Sequence, residues 1–177
     1  MKIKKITTKE VETIYNNHII LDFPENERRP LYKIIQLINT NLYIPYALYS
    51  NEKVIGYAFF YGYNNQYICD YFAIIKEYRN QNYGSYFLKE CLKLFQNSQL
   101  YFEVETPKEP ELIIKQKRIH FYTKNNLIIN DIELNLYFVD YIILSNKATS
   151  IIEVENLYKQ LYDKEFYDKY VKFKGEK

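Results

Sequence analysis

No run of apolar residues in this sequence approaches the roughly 20 needed to span a bilayer. The opening Met1-Lys-Ile-Lys-Lys5 is not followed by the apolar core of a secretory leader. These two absences point to a cytoplasmic protein with no membrane partner. Cysteine is scarce, with Cys69 and Cys91 the only two. One falls in a strand pattern and the other on an apolar helix stripe, so both read as buried thiols rather than a disulfide or a metal site. No Ser-His-Asp arrangement and no metal-ligand spacing occurs, and no metal is expected. The two histidines, His18 and His120, read as packing or surface residues. Charge of one sign is also lacking: 24 Lys and Arg stand against 22 Asp and Glu, a net charge of +2. A nucleic-acid binder usually carries a marked basic excess, so nucleic acid is not an expected partner. Tryptophan is absent while tyrosine occurs 21 times. With the abundant Asn, Ile and Lys, this reads as the imprint of AT-rich coding rather than of a base-stacking surface.

What is present suits a folded domain with a sizeable core. Hydrophobic residues make up 47% and charged residues 26% of 177. Residues 2–6 read as a strand, and Thr7-Thr-Lys-Glu10 has capping-box spacing for a helix through about Ile20. Pro24 and Pro30 bracket the charged segment Glu25-Asn-Glu-Arg-Arg29, and a second helix follows through Ile34, Ile35, Leu37 and Ile38. Strands at 43–49 and 54–63 flank a hairpin turn at Ser50-Asn-Glu-Lys53. A strand at 67–75, a helix, a strand at 100–105, a helix at about 110–124 and strands at 127–134 and 136–144 complete the pattern. The tail from Ser150 is helical, with Ile151, Val154, Leu157, Tyr158 and Leu161 on one side. The order βααβββαβαββ predicts a mixed α/β fold. No internal repeat or interdomain linker appears.

The most informative stretch is 70–88. It begins as an apolar strand, passes a polar turn with Arg79, Asn82, Gly84 and Ser85, and continues as a helix whose apolar residues recur at three- and four-residue steps. A strand that enters a helix through a tight turn leaves backbone N–H groups without partners at the positive end of the helix dipole. Such a site seats phosphate or pyrophosphate. The same pattern also suits a plain connection that binds nothing.

Arg79-Asn-Gln-Asn82-Tyr-Gly84-Ser85 resembles the Arg/Gln-x-x-Gly-x-Gly/Ala pyrophosphate loop of the GNAT superfamily, the acetyl-CoA-dependent N-acetyltransferases. The preceding Phe72-Ala73-Ile74 resembles the Leu-Ala-Val of that family's central strand. Tyr122-Thr-Lys-Asn-Asn126-Leu127 stands where the family often has Tyr-x-x-x-Gly-Phe. Asn82 and Asn126 each replace a family glycine, and asparagine tolerates the positive φ that such a glycine often adopts.

The resemblance covers residues 1 to about 145 and implies a mostly antiparallel central sheet with splayed fourth and fifth strands, flanked by helices. It implies an acetyltransferase domain over 1–146 with a helical extension, 147–177, packed on it, in a bacterial-type enzyme. Acetyl-CoA would be the cosubstrate and an amine the acceptor. Phe72, Ala73 and Ile74 would meet the thioester and pantetheine; Arg79, Asn80, Gln81, Asn82, Tyr83, Gly84 and Ser85 would hold the pyrophosphate. Tyr122 would be the general acid for the departing thiolate. For a base, Glu103 is the first choice, Glu105 the second and Asp70 the third. Alternation in Leu100-Tyr-Phe-Glu-Val-Glu105 puts Tyr101, Glu103 and Glu105 on one face, where neighbouring carboxylates would raise each other's pKa. Their alternative is solvent exposure or salt bridges to Lys115 or Arg118. The segment 23–30 would line the acceptor side. A homodimer is compatible with the tail, as are an inactive acyl-CoA-binding module and a protein-interaction domain.

Overall fold

The computed structural model describes residues 1–174; the end of the C-terminal extension, residues 175–177, lies outside the described residues. The chain forms two compact units, one of Met1–Tyr63 with Cys69–Gln96, the other of Asn64–Ile68 with the chain from Asn97 onward.

The first unit opens with β1 (Lys2–Lys5) and α1 (Thr8–Ile14). Thr7 and Glu10 close a reciprocal capping box, with Glu10 N–H donating to Thr7 Oγ1 at 3.3 Å and Thr7 N–H to Glu10 Oε2 at 2.8 Å. The long helix expected through Ile20 is interrupted: a π-helical turn, Tyr15–Ile19, separates α1 from the short α2 (Ile20–Asp22). The inserted residue rotates everything after it by about 100° on the helix surface. After a 3₁₀ turn at Glu25–Glu27 come α3 (Leu31–Asn39), β2 (Tyr43–Ser50), β3 (Lys53–Tyr63), β4 (Gln66–Ile74, of which Cys69 onward belongs to this unit) and α4 (Tyr83–Leu94). The strands of this unit run β1-β2-β3-β4, with β1–β2 and β2–β3 antiparallel. One face of β3 carries Tyr57, Phe59 and Tyr61 and the other Ala58 and Phe60, all buried. Phe60 meets Phe95 at 4.5 Å, and Phe59 meets Tyr71 edge-on at 5.9 Å. Both cysteines are buried thiols outside any disulfide; burial pushes the Cys91 thiol well above its usual range.

The second unit contains β5 (Gln99–Glu105), α5 (Leu112–Lys124), β6 (Ile128–Leu136), β7 (Val139–Ser145), α6 (Ile151–Leu161), α7 (Lys164–Tyr170) and β8 (Val171–Lys174). Its strands run β5-β7-β6-β8, each neighbouring pair antiparallel. The tail is therefore not wholly helical: β8 pairs with β6, Leu134 opposite Phe173. Ser150 and Glu153 form a second capping box at the start of α6. The fold is mixed α/β with mostly antiparallel strands and flanking helices, including helices near the C-terminus.

Candidate functional site

β4 gives way to α4 through a turn held by left-handed residues. Ile75 N–H donates to Ile55 O at 3.0 Å, and a 3₁₀ turn at Lys76–Tyr78 follows. Asn80 and Asn82 both take φ of 62°, and Asn82, with ψ of 5°, is the residue from which α4 starts. The asparagine at the family's glycine position thus supplies the backbone conformation that glycine would. Asn82 does not cap the helix with its side chain. The first helical bond runs from Tyr86 N–H to Asn82 O at 3.1 Å, so the N–H groups of Tyr83 and Gly84 have no acceptor within α4. Gly84 adds no side chain in front of them. Asn80, Gln81 and Asn82 are exposed, and Tyr83, Gly84 and Ser85 half-buried. Helix-dipole potential, open amides and an arginine in one turn are the donor set an anionic group requires.

The Arg79 side chain, although exposed, folds back onto the turn. Its Nε donates to Ile74 O at 2.7 Å and its Nη2 to Asp22 Oδ1 at 2.6 Å. Asp22 Oδ2 accepts from the Tyr57 hydroxyl at 2.9 Å. Tyr57 is fully buried, and burial followed by the Asp22 charge keeps its hydroxyl protonated far beyond the ordinary tyrosine range. Ile74, expected to meet pantetheine amides, therefore has its carbonyl engaged by the guanidinium. The Ile74 side chain packs over Gly56, where an added Cβ would come within 2.7 Å of Ile74 Cδ1 and 3.0 Å of the Ala73 carbonyl. Phe72 stacks on Phe87 of α4 with centroids 5.3 Å apart.

Further along β4, Asp70 is built into a different cluster. Its carboxylate accepts from Arg29 Nε at 3.1 Å and from the Tyr43 hydroxyl. Arg29 N–H donates to the Tyr71 hydroxyl at 2.7 Å, and the Arg29 guanidinium lies 4.5 Å from the centre of the Tyr61 ring. Asp70 and Tyr71, consecutive on the strand, both reach Arg29 and fasten the 23–30 segment to β4. Asp70, third choice for a base, is engaged as an ion-pair acceptor.

In the second unit the three catalytic candidates diverge. Tyr122 lies in the last turn of α5 with its ring 5.2 Å from that of Phe102 on β5. Its carbonyl accepts from Leu127 N–H at 3.1 Å, closing the helix end over Asn126, whose φ is 68°. Glu103, one residue along from Phe102, accepts a hydrogen bond from the Tyr158 hydroxyl of α6. Glu105 turns instead to α5: Lys115 Nζ is 2.8 Å from Oε2 and Arg118 Nη1 is 2.6 Å from Oε1. The expectation of two neighbouring carboxylates with mutually raised pKa values is corrected here. Desolvation pulls the Glu105 carboxyl upward, but the hydrogen bonds from Lys115 and Arg118 outweigh it and hold the group below its ordinary range. A carboxylate so held is a poor proton acceptor near neutrality. The alternative stated for it holds: α5 passes over the end of β5 with Lys115 and Arg118 four and seven residues from Glu111, and the strand's last carboxylate pairs with both. Asp22 is the residue that sequence reasoning missed; no spacing signal links it to Arg79, 57 positions away.

Among the described residues no group of three or more His, Cys, Asp or Glu side chains is placed to hold a metal ion, and no helix is long and apolar enough to cross a membrane.

The model of the acetyltransferase (GNAT) family matches residues 11–125, and the chain belongs to that family. It is an acyltransferase by that membership, and acetyl-CoA is the family's cosubstrate. A search of curated proteins finds no match. Among solved structures it is similar to a GNAT-family protein from Bacteroides thetaiotaomicron, with 19% identity, TM-score 0.76, and 94% of this chain and 98% of the other covered. It is also similar to the ribosomal-protein-S18-alanine N-acetyltransferase of Escherichia coli, with 16% identity, TM-score 0.61, and 85% and 97% covered. A third is a spermidine N-acetyltransferase variant from Vibrio cholerae, with 13% identity, TM-score 0.61, and 82% and 94% covered. At these identities the likeness is one of fold, and the two named acceptors differ chemically.

Proposed function

We propose that this chain transfers an acetyl group from acetyl-CoA to a primary amine by direct attack in a ternary complex. The observation that carries the reading is the turn at Asn82: a left-handed residue, two helix-start N–H groups without acceptors in the helix, and Arg79 beside them. Arg79, Asn80, Gln81, Asn82, Tyr83, Gly84 and Ser85 hold the pyrophosphate. Phe72, Ala73 and Ile74 line the thioester arm, with the Phe72 N–H donating to the carbonyl oxygen as charge develops there. The bound cosubstrate supplies a thioester, whose carbonyl carbon a neutral amine can attack.

In the transfer the amine nitrogen bonds to the carbonyl carbon and the carbon–sulfur bond breaks. The proton lost by the amine goes to a base, and the sulfur takes one from Tyr122. A tyrosine hydroxyl of pKa about 10 is suited to protonating a thiolate whose conjugate acid lies near 8.5. Glu103 is the base we assign, with Glu105 second; the ion pairs of Glu105 weaken its claim.

The test is release of free thiol from acetyl-CoA across a panel of amino acids, polyamines and peptide N-termini. Tyr122→Phe should lose about 10²–10⁴-fold in kcat while retaining the rise in melting temperature that acetyl-CoA gives the parent. Unchanged turnover in that variant removes Tyr122 as the acid. No thiol release with any amine contradicts the transferase reading.

A further inference from the structure

We infer that Asp22 is a positioning residue for cosubstrate binding, acting through Arg79; this rests on the reading of the 79–85 turn given above. Two of the three guanidinium nitrogens are committed inside the protein. Nε spans the turn to Ile74 O at 2.7 Å, and Nη2 is held by Asp22 at 2.6 Å. Nη1 has no acceptor among the described residues. A guanidinium is planar, so fixing two nitrogens fixes the direction of the third.

Asp22 is itself fixed. Its second oxygen accepts from Tyr57, whose hydroxyl sits at the end of a fully buried ring. His18 of the π-helical turn stacks on the same ring, with centroids 6.4 Å apart and planes 27° from parallel. His18 and Asp22 thus grip one tyrosine from residues four apart. The inserted residue of the π turn aims both, because an unbroken α1 would present a different face to β3. Phe23 N–H donates to Ile19 O at 3.1 Å and completes this end of the helix.

The Asp22–Arg79 pair is partly solvent-exposed, with side-chain exposures of 19% and 45%. Ion pairs at that exposure add little to stability. What the pair supplies is orientation: an arginine already held in place loses less side-chain freedom when an anion arrives. The clasp also closes the turn from the end of β4 to the start of α4 before any ligand binds.

The experiment is a double-mutant cycle in the dissociation constant of acetyl-CoA, measured by calorimetry on the full chain. Asp22→Asn is expected to weaken binding about tenfold, with Asp22→Glu recovering most of the loss. Asp22→Asn combined with Arg79→Gln should bind no more weakly than Arg79→Gln alone, because Asp22 acts only through that guanidinium. A residue that merely stabilised the fold would lower the melting temperature and leave the cycle additive. Wild-type affinity in Asp22→Asn, or losses that add, overturns the role of Asp22 and leaves the cosubstrate reading intact. Should Asp22→Asn fold poorly, Tyr57→Phe, which removes the hydroxyl but keeps the ring, is expected to weaken binding in the same direction; unchanged affinity there overturns the proposal. Absence of binding by the wild-type chain removes both the cosubstrate site and the role of Asp22.

Discussion

Glu105 is the residue at which the structure most sharply limits the chemistry. Its two oxygens face Lys115 and Arg118, and its side chain is only 13% exposed. Its pKa is depressed relative to the unfolded chain, so its contribution to stability is present above the unfolded value of about 4.3 and lost as pH falls through the folded one. Lys115 has the opposite sign: its bond to Glu105 raises it, and that contribution is lost only when the solution becomes strongly alkaline. Glu105→Gln is expected to cost about 1–3 kcal/mol at neutral pH, intermediate between exposed and buried pairs. Urea unfolding as a function of pH should show a smaller loss toward acid in the variant than in the parent; an unchanged acid limb would contradict the assignment. The conformation of Asn82 was legible in the sequence, because asparagine standing for glycine has few reasons other than a left-handed backbone. The fate of Glu105 was legible only as one of two alternatives. Strand alternation fixes the side of the sheet, and only the path of α5 decides which charges lie above it.

At the scale of elements, turn chemistry explains both what could be read and what could not. The β2–β3 loop has Asn51 and Glu52 at φ of 47° and 64°, and the β3–β4 loop has Asn64 and Asn65 at 49° and 61°. These are the two-residue turns that match strand twist, and their asparagines announce them. The β6–β7 loop has the same geometry with Tyr137 and Phe138 at φ of 49° and 70°. Two aromatic residues give no turn signal, which is why the boundary between those strands is displaced in the sequence reading. The structure holds this turn from outside: Tyr137 N–H donates to Tyr170 O at 3.0 Å, and the Tyr137 ring lies 4.6 Å from that of Tyr170. Phe138 is 78% exposed, so its ring returns little for its backbone strain. Left-handed backbone costs a bulky residue roughly 1–2 kcal/mol, and glycine costs about 0.5–1 kcal/mol in unfolded-chain entropy. Phe138→Gly is therefore expected to raise stability by about 0.5–1 kcal/mol in chemical denaturation; a loss of that size would show that the ring contacts dominate. β8 escaped prediction because its four residues, Val171–Lys174, carry too short a pattern to distinguish a strand from the end of a helix. The π-helical turn was not read either: its one trace in the sequence is the five-residue step between the buried Ile14 and Ile19, where an unbroken helix steps by three or four.

For the molecule as a whole, the order of elements and two motifs separated by the correct length of chain carried the family. Each motif departs from the family glycine, and the asparagines at 82 and 126 both adopt the left-handed backbone that glycine takes freely. The acceptor is not written in the chain in this way, because one scaffold serves acceptors as different as a protein amine and spermidine. The central claim is that the turn after β4 binds acetyl-CoA. Its most direct test is the melting temperature of the full chain with and without acetyl-CoA, beside an Arg79→Ala, Gly84→Asp variant shown to be folded. Ligand at about a hundred times its dissociation constant adds roughly 2.7 kcal/mol, or about 5–10 °C for a chain of this size. A rise of that order in the parent and none in the variant is the expected result. No rise in the parent at millimolar acetyl-CoA, or an equal rise in both, would contradict it.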